Sequence, residues 1–454
     1  MLNNKIYRFI YIAILSILAV SAFWCFSQDG EGINGIHIYQ LPLLCLFCFL
    51  IFKNIRRHLN TLSVTTISLV CAIRYGIYPL TISLENSVGS SYVIISQDSI
   101  NLMLYEMILV LFVLNIYSNR LLSLDGKKSI LVADSKLSNI NKFLLLSTIP
   151  IVLVFPSLLG IFSFLGIAKS SSPVSGVVAV TFKVGLYIGY IFLLTKCSRN
   201  GKGGLLNLIV ALIIAVIFIF LIAIGESSVS RWAFLWIGVP TLIILTNTFP
   251  HYKKTIFSFS FISLPIAIIA GSFVKFAVSD FSVSSFFSNF VNSDMLSEYF
   301  GGLNGLTFAM QNVAQDERAQ TLYSALTDLF CSTPLLSSFF DFERYSTQSI
   351  YLDILNRTDL ICPLLGQSYS HFGFLGAPIF SILMMLMAIE FERITQKTVN
   401  VYLKYASLSL CITFSLFMCL NTIIIMSNAW VLIIFMLVQL YNKRKNVVNY
   451  STDI

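Results

Sequence analysis

Apolar runs about 20 residues long, the length a bilayer core demands of a helix, recur along this whole chain with short polar stretches between them. A membrane β-barrel would instead show short segments of alternating polarity, and the chain lacks them. The runs fall at 7–26, 36–52, 61–80, 99–118, 143–168, 176–195, 205–225, 232–249, 255–277, 371–390, 404–420 and 422–441. They predict an all-α polytopic membrane protein of about 12 transmembrane helices. The rhythm breaks once. From 279 to 370 the chain mixes charges with apolar residues at helical spacing, over a length far beyond an ordinary connection. In STQSIYLDILNR, Ile350 and Ile354 share a face with Tyr351 and Leu355, and Ser346 or Thr347 supplies a cap; LYSALTDLF (322–330) is similar. This segment is expected to be a partly helical loop, lying on the membrane surface or over the bundle. The chain thus divides into a bundle with spans 1–9 (1–278), the loop (279–370), three further spans (371–441) and a basic tail (442–454).

Charge sets the orientation. Lys5 and Arg8, then Lys53, Arg56 and Arg57, then Arg120, Lys127, Lys128, Lys136 and Lys142, fall on one side of the twelve-span pattern. So do Lys196, Arg199 and Lys202, then Lys253 and Lys254, then Arg393, Lys397 and Lys404, and finally Lys443, Arg444 and Lys445. By the positive-inside rule that side is cytoplasmic, both termini with it, and the long loop is outside. Composition agrees: 57% of residues are hydrophobic and 11% charged, against about a quarter charged in soluble domains. The net charge of +8 therefore marks cytoplasmic loops and not a nucleic-acid surface. The first apolar run is long and no A-x-A site follows it, which favours a span over a cleaved signal. Nine cysteines are scattered; Cys45 and Cys48 sit in an apolar run as packing residues, while Cys331 and Cys362 share the loop, where a disulfide is chemically allowed. No HExxH, P-loop or GxSxG pattern is present, an absence that by itself excludes little.

Ionisable residues inside spans are costly, and so are paired or functional. Arg74 in LVCAIRYGIYPL and Glu106 in LMLYEMILVL lie at equal depth on consecutive helices, about two turns from the outer end. They predict an ion pair that locks the helices or shares in binding an anion. Lys183 either snorkels outward or faces a cavity, and Lys275 is expected to snorkel. In GESSVSRWAF, Arg231 stands at a helix start with Glu226 near enough in sequence to orient it, and its planar fork of donors suits phosphate. The stretch GQSYSHFGFLG (366–376) opens the tenth run. Gly373 and Gly376 allow close approach at a helix start, Tyr369 suits the interface, and His371 either accepts a proton from a hydroxyl or only closes the doorway.

The plan and two local patches resemble the Wzy-type oligosaccharide repeat-unit polymerases of O-antigen, capsule and exopolysaccharide, which are related to O-antigen ligases. The plan is a bundle of 11–14 spans with one long outer loop before the last few. One patch is a glycine and a short serine-containing turn ending in arginine after a strongly apolar span, here GESSVSR (225–231), longer than the usual Gly-Ser-Arg. The other is the aromatic-x-x-Phe-Gly-x-x-Gly turn, here Tyr369 to Gly376. The resemblance implies transfer of a glycan from undecaprenyl diphosphate to a new lipid-linked repeat unit, at the outer face of the bacterial inner membrane. It implies a membrane glycosyltransferase without cofactor, whose partners are the lipid-linked donor and acceptor, the bilayer, and a flippase and chain-length regulator. Arg231 would clamp the diphosphate, His371, Glu226 or one of the loop carboxylates would take the acceptor proton, and Arg74, Lys183, Arg318, Arg344, Arg357 and Tyr369 would bind substrate. Gly373, Gly376 and Glu106 would be structural. A lipid-linked oligosaccharide flippase and an O-antigen ligase are the alternatives.

Overall fold

The computed structural model describes residues 4–28, 36–86, 94–121, 137–155, 158, 176–199, 204–223, 231–259, 293–333, 336–356 and 360–452. Nearly all of these are helical. Six helices are long and apolar enough to cross a membrane: Ile6–Gln28, Leu62–Glu85, Gln97–Arg120, Gly176–Ser198, Leu205–Ala223 and Thr422–Asn442. Helices Leu364–Gly376 and Ile379–Lys397 together make a seventh, bent by 107°. Among the described residues the count is six, or seven if the bent pair is one span, and twelve is not confirmed.

Some runs are shorter or divided, and others are described only in part. Run 36–52 holds a 12-residue helix, Gln40–Ile51; the described part of run 143–168 holds Asn139–Val154, with Pro150 inside it, and most of its remainder lies outside the described residues. Run 232–249 divides into Arg231–Trp236 and Gly238–Thr248. Most of 255–277, Lys275 included, lies outside the described residues. Over the tenth run the long helix is Ile379–Lys397, with Leu364–Gly376 before it across the bend. Ala377, before Pro378, keeps helical angles; the non-helical residue is Gly373, with φ +66° and ψ −169°, and the chain kinks there.

Two compact units do not follow chain order. One comprises Met1–Gly126, Ser282–Arg393 and Thr413–Asn428; the other comprises Lys127–Phe281, Ile394–Ile412 and Ala429–Ile454. In the second, Tyr187, Tyr190, Phe218 and Tyr405 form an aromatic cluster, with the Tyr190 and Phe218 rings stacked at 4.3 Å, and Asn141 exchanges hydrogen bonds with Gln439 and Asn442.

The first unit joins the predicted loop to the early helices. Its Leu62–Glu85 helix opens on a buried carboxylate: Glu392 accepts from the backbone N–H groups of Leu62 (2.6 Å) and Ser63 (2.8 Å) and from the Ser63 hydroxyl. Midway the helix widens into a π turn, Ile73–Ile77. Pro79 lies just beyond; it has no N–H to donate, so the regular ladder is broken there. The Ser21 hydroxyl supports the exposed ladder by donating to the Gly76 carbonyl at 2.7 Å.

The loop is folded, as expected. Its helices are Ser293–Tyr299, Leu303–Gln311, Leu322–Phe330, Phe342–Tyr345 and Thr347–Leu355. Phe308, Ala309, Val313, Ala319, Ile350 and Tyr351 anchor its own apolar core. Ser346 caps Thr347–Leu355 by accepting from Gln348 N, the role the sequence assigns it. Ile354 departs from its assigned face and is exposed.

Candidate functional site

Two buried polar centres lie in the first unit, one beneath the loop and one within it. The first is built on the π turn. Such turns arise mostly as single-residue irregularities at places where a side chain must be presented out of register. Here it presents Arg74. The guanidinium is 2% exposed and the Glu106 carboxylate fully buried, with Nη2 3.0 Å from Oε2. The ion pair predicted from equal depth is thus present. Tyr75 donates to the same carboxylate oxygen at 3.2 Å, and the Ser381 hydroxyl donates to the other. Arg74 Nε and Nη2 both lack a hydrogen-bond acceptor among the described residues, Nη2 meeting Glu106 only as an ion-pair contact. A buried guanidinium with unused donors is under-satisfied.

Loop backbone covers this group. The Gly301-Gly302 turn joins helices Ser293–Tyr299 and Leu303–Gln311. Gly301 has φ +56°, and a Cβ there would sit 3.8 Å from Arg74 Cζ and 3.1 Å from the Met418 carbonyl. Both loop helices are held from Arg74's own helix. Glu85 accepts from Ser293 N at 3.1 Å and Ser293 Oγ at 2.6 Å, and Tyr78 Oη accepts from Leu303 N at 3.0 Å. A small pocket opens beside the turn, lined by Asp294, Ser297, Glu298, Asn304, Tyr351 and Pro363 among others.

The second centre is built on Asp328, which is fully buried. Its Oδ1 accepts from Ser346 Oγ (3.0 Å) and Thr347 N (3.1 Å). Its Oδ2 accepts from the Thr347 hydroxyl, from Gln367 Nε2 (3.4 Å) and from His371 Nε2 (3.0 Å). Gln367 continues the network to Thr422, whose N and Oγ1 both donate to its Oε1 at 3.0 Å. Gln348 links Cys362 N (2.8 Å) and Asn421 Nδ2 (2.7 Å) through its own Oε1. Four segments distant in sequence are joined in this way around one carboxylate.

His371 belongs to this network. Its side chain is 1% exposed, and its Nδ1 lies 2.8 Å from the Ala319 carbonyl. Both ring nitrogens therefore face oxygen atoms, and which of them donates depends on the tautomer. In this arrangement His371 joins Asp328 to the Ala319 backbone.

The remaining predicted residues are distributed as follows. Gly373 lies inside helix Leu364–Gly376 with φ +66° and ψ −169°, and a Cβ there would meet nothing within 4 Å. Its requirement is conformational, not the close approach expected from sequence. At Gly376 a Cβ would sit 2.3 Å from Phe372 Cβ, a close approach within the bend itself. Tyr369 is half-buried on the same helix. Arg318 binds Asp316 two residues away, at 2.7 Å, and holds that carboxyl below the usual range; the pairing lifts the Arg318 guanidinium in turn. Arg344 is exposed and stacks over Tyr345 at 5.3 Å. Lys183 is exposed on Gly176–Arg199. Arg231 opens Arg231–Trp236, whereas Glu226 and Arg357 lie outside the described residues. Cys331 and Cys362 are free thiols, and burial pushes Cys331 up to about 12 and Cys362 well above its ordinary value.

Sequence reasoning met Asp328 only as one of the loop carboxylates and Thr347 only as a helix cap, and it did not single out Gln367, Gln348 or Ser381. One signal was available: Ser324, Thr327 and Asp328 recur at helical spacing and define a polar face on an otherwise apolar helix. Comparison with protein families, curated proteins and solved structures finds no match to this chain.

Proposed function

We propose that the chain is a membrane glycosyltransferase of the repeat-unit polymerase type. It transfers a growing glycan from a polyprenyl diphosphate to the hydroxyl of a lipid-linked repeat unit, at the outer face of the bacterial inner membrane. The observation that carries this reading is Arg74: a buried guanidinium with an unused donor, on a π turn, directly under a folded loop. A phosphate oxygen is the acceptor that such a donor lacks.

The chemistry asks little beyond positioning and positive charge. The anomeric carbon–oxygen bond to the diphosphate breaks, the bond to the acceptor oxygen forms, and the acceptor proton leaves with a base or with the departing diphosphate. Arg74 would steady phosphate charge, and Arg231 remains the diphosphate clamp that the resemblance implies. Glu226 remains the candidate base, since His371 is engaged by Asp328 and the Ala319 carbonyl.

Deletion of the gene, scored on surface glycan, tests this. The expected product is a lipid or core capped by one repeat unit; a flippase would instead leave no unit outside. Complementation by Arg231→Ala and Arg74→Met is expected to leave the single-unit product. Full-length glycan from both variants would overturn the reading.

A further inference from the structure

Helix Leu322–Phe330 is built inside out. Its buried residues are Ser324, Ala325, Thr327 and Asp328. Its apolar residues face outward: Leu322 is 72% exposed, and Leu326 and Tyr323 are exposed as well. An amphipathic helix in water does the reverse. The inward polar face is fully used, since Ser324 Oγ donates to the Tyr345 carbonyl at 2.6 Å, Thr327 Oγ1 to the Tyr323 carbonyl at 2.8 Å, and Asp328 accepts from four residues. The outward leucines are therefore the price of a fixed polar interior, unless their surroundings are themselves apolar. The turn that follows repeats the pattern, with Phe339 71% exposed and its carbonyl bound by the Tyr323 hydroxyl.

The position of this helix says what surrounds it. It is tied through Asp328 to His371 and Gln367 on Leu364–Gly376. That helix meets Ile379–Lys397 at 107°, so it lies near the membrane plane if its partner crosses the bilayer. Its far end is at bilayer depth. Phe374 stacks on Tyr105 at 5.6 Å, and the Tyr105 hydroxyl donates to the Leu375 carbonyl. Tyr105 itself lies about two turns inside the Gln97–Arg120 helix. Phe372, Phe374, Leu375 and Ile379 are all exposed, a continuous apolar margin leading into the crossing helix. Leu322–Phe330 packs on this helix through Asp328 and so shares its level, the level at which interfacial helices bury their apolar face about 5–10 Å deep.

We infer that Leu322–Phe330 and the Phe339 turn form a lipid-facing surface of the loop, inserted in the membrane leaflet on which Leu364–Gly376 lies. Arg344, exposed and stacked on Tyr345, stands at its edge beside Tyr323, whose ring meets that of Tyr345 at 5.0 Å. Arginine and tyrosine together suit a phospholipid headgroup layer. The inference does not depend on the glycosyltransferase reading; a transporter would carry the same surface.

The test is photo-crosslinking of the full-length protein in vesicles of phosphatidylethanolamine and phosphatidylglycerol, with a trace of radiolabelled phosphatidylethanolamine. The photoreactive p-benzoylphenylalanine replaces Leu322, Phe339, Leu383 or Gln320, one at a time. Leu383, exposed on the Ile379–Lys397 helix, is the lipid reference, and Gln320, exposed and polar on the same loop, is the aqueous one. Label at 322 and 339 is expected within about threefold of that at 383 and roughly tenfold above that at 320. Yields at 322 and 339 no higher than at 320, or label lost to a crosslink with a second protein, would overturn the inference. The two positions lie on separate segments and are read independently, so a variant that fails to fold at one leaves the other decisive.

Discussion

At the scale of single residues, the buried charges do the most work and carry the sharpest expectations. Glu106→Ala leaves the Arg74 guanidinium buried without its counter-charge, and is expected to cost about 3–5 kcal/mol; thermal unfolding in detergent measures it. Replacing both partners, Arg74→Met with Glu106→Leu, is expected to restore most of that stability. Such a double variant that folds yet makes no polymer assigns Arg74 to the substrate, whereas one that keeps full activity leaves the pair only a helix lock. Asp328→Asn removes acceptor capacity from a site that receives five donors, and a loss of about 1–3 kcal/mol is expected, read as faster proteolysis of the loop. The two centres were unequally legible. Arg74 and Glu106 stand out because any charge in an apolar run does, and their equal depth follows from helix geometry. His371 stood out too, but its partner Asp328 is 43 positions away on a loop helix. No periodicity relates the two, so the chemistry of the histidine was invisible until the loop was folded over it.

At the scale of elements, Leu364–Gly376 shows why apolar length alone misplaces a span. The run continues smoothly through the bend, so hydropathy sees one helix where there are two. The punctuation was there in Gly373, Gly376 and Pro378, each of which is tolerated inside real membrane helices. Two alanine variants separate the reasons for its glycines. Gly373→Ala is expected to cost about 1–3 kcal/mol purely from backbone conformation, and no compensating cavity can relieve it. Gly366→Ala puts a Cβ 2.7 Å from that of Ala309, with an overpacking cost of about 1–3 kcal/mol. Adding Ala309→Gly makes room, so the second loss is expected to be rescued and the first not; paired melting curves distinguish them.

At the scale of the molecule, the helical membrane class and the folded state of the long loop were readable from sequence, because both rest on composition and local spacing. The assignment of the loop to the early helices was not, since that depends on which helix supplies the caps. The caps come from Tyr78 and Glu85, both beyond the π turn on Leu62–Glu85. A π turn amounts to one surplus residue accommodated inside an α-helix, so removing one there restores the regular ladder and leaves the turns on either side in phase, whereas a deletion in a regular turn rotates everything beyond it by about 100°. A variant lacking Ile77 is therefore expected to keep Tyr78 and Glu85 at the starts of the two loop helices, and its loop as resistant to protease as before. What it would lose is the turn that presents Arg74. The surplus residue is thus a removable part of this helix, one that serves the charge it carries and not the loop it holds.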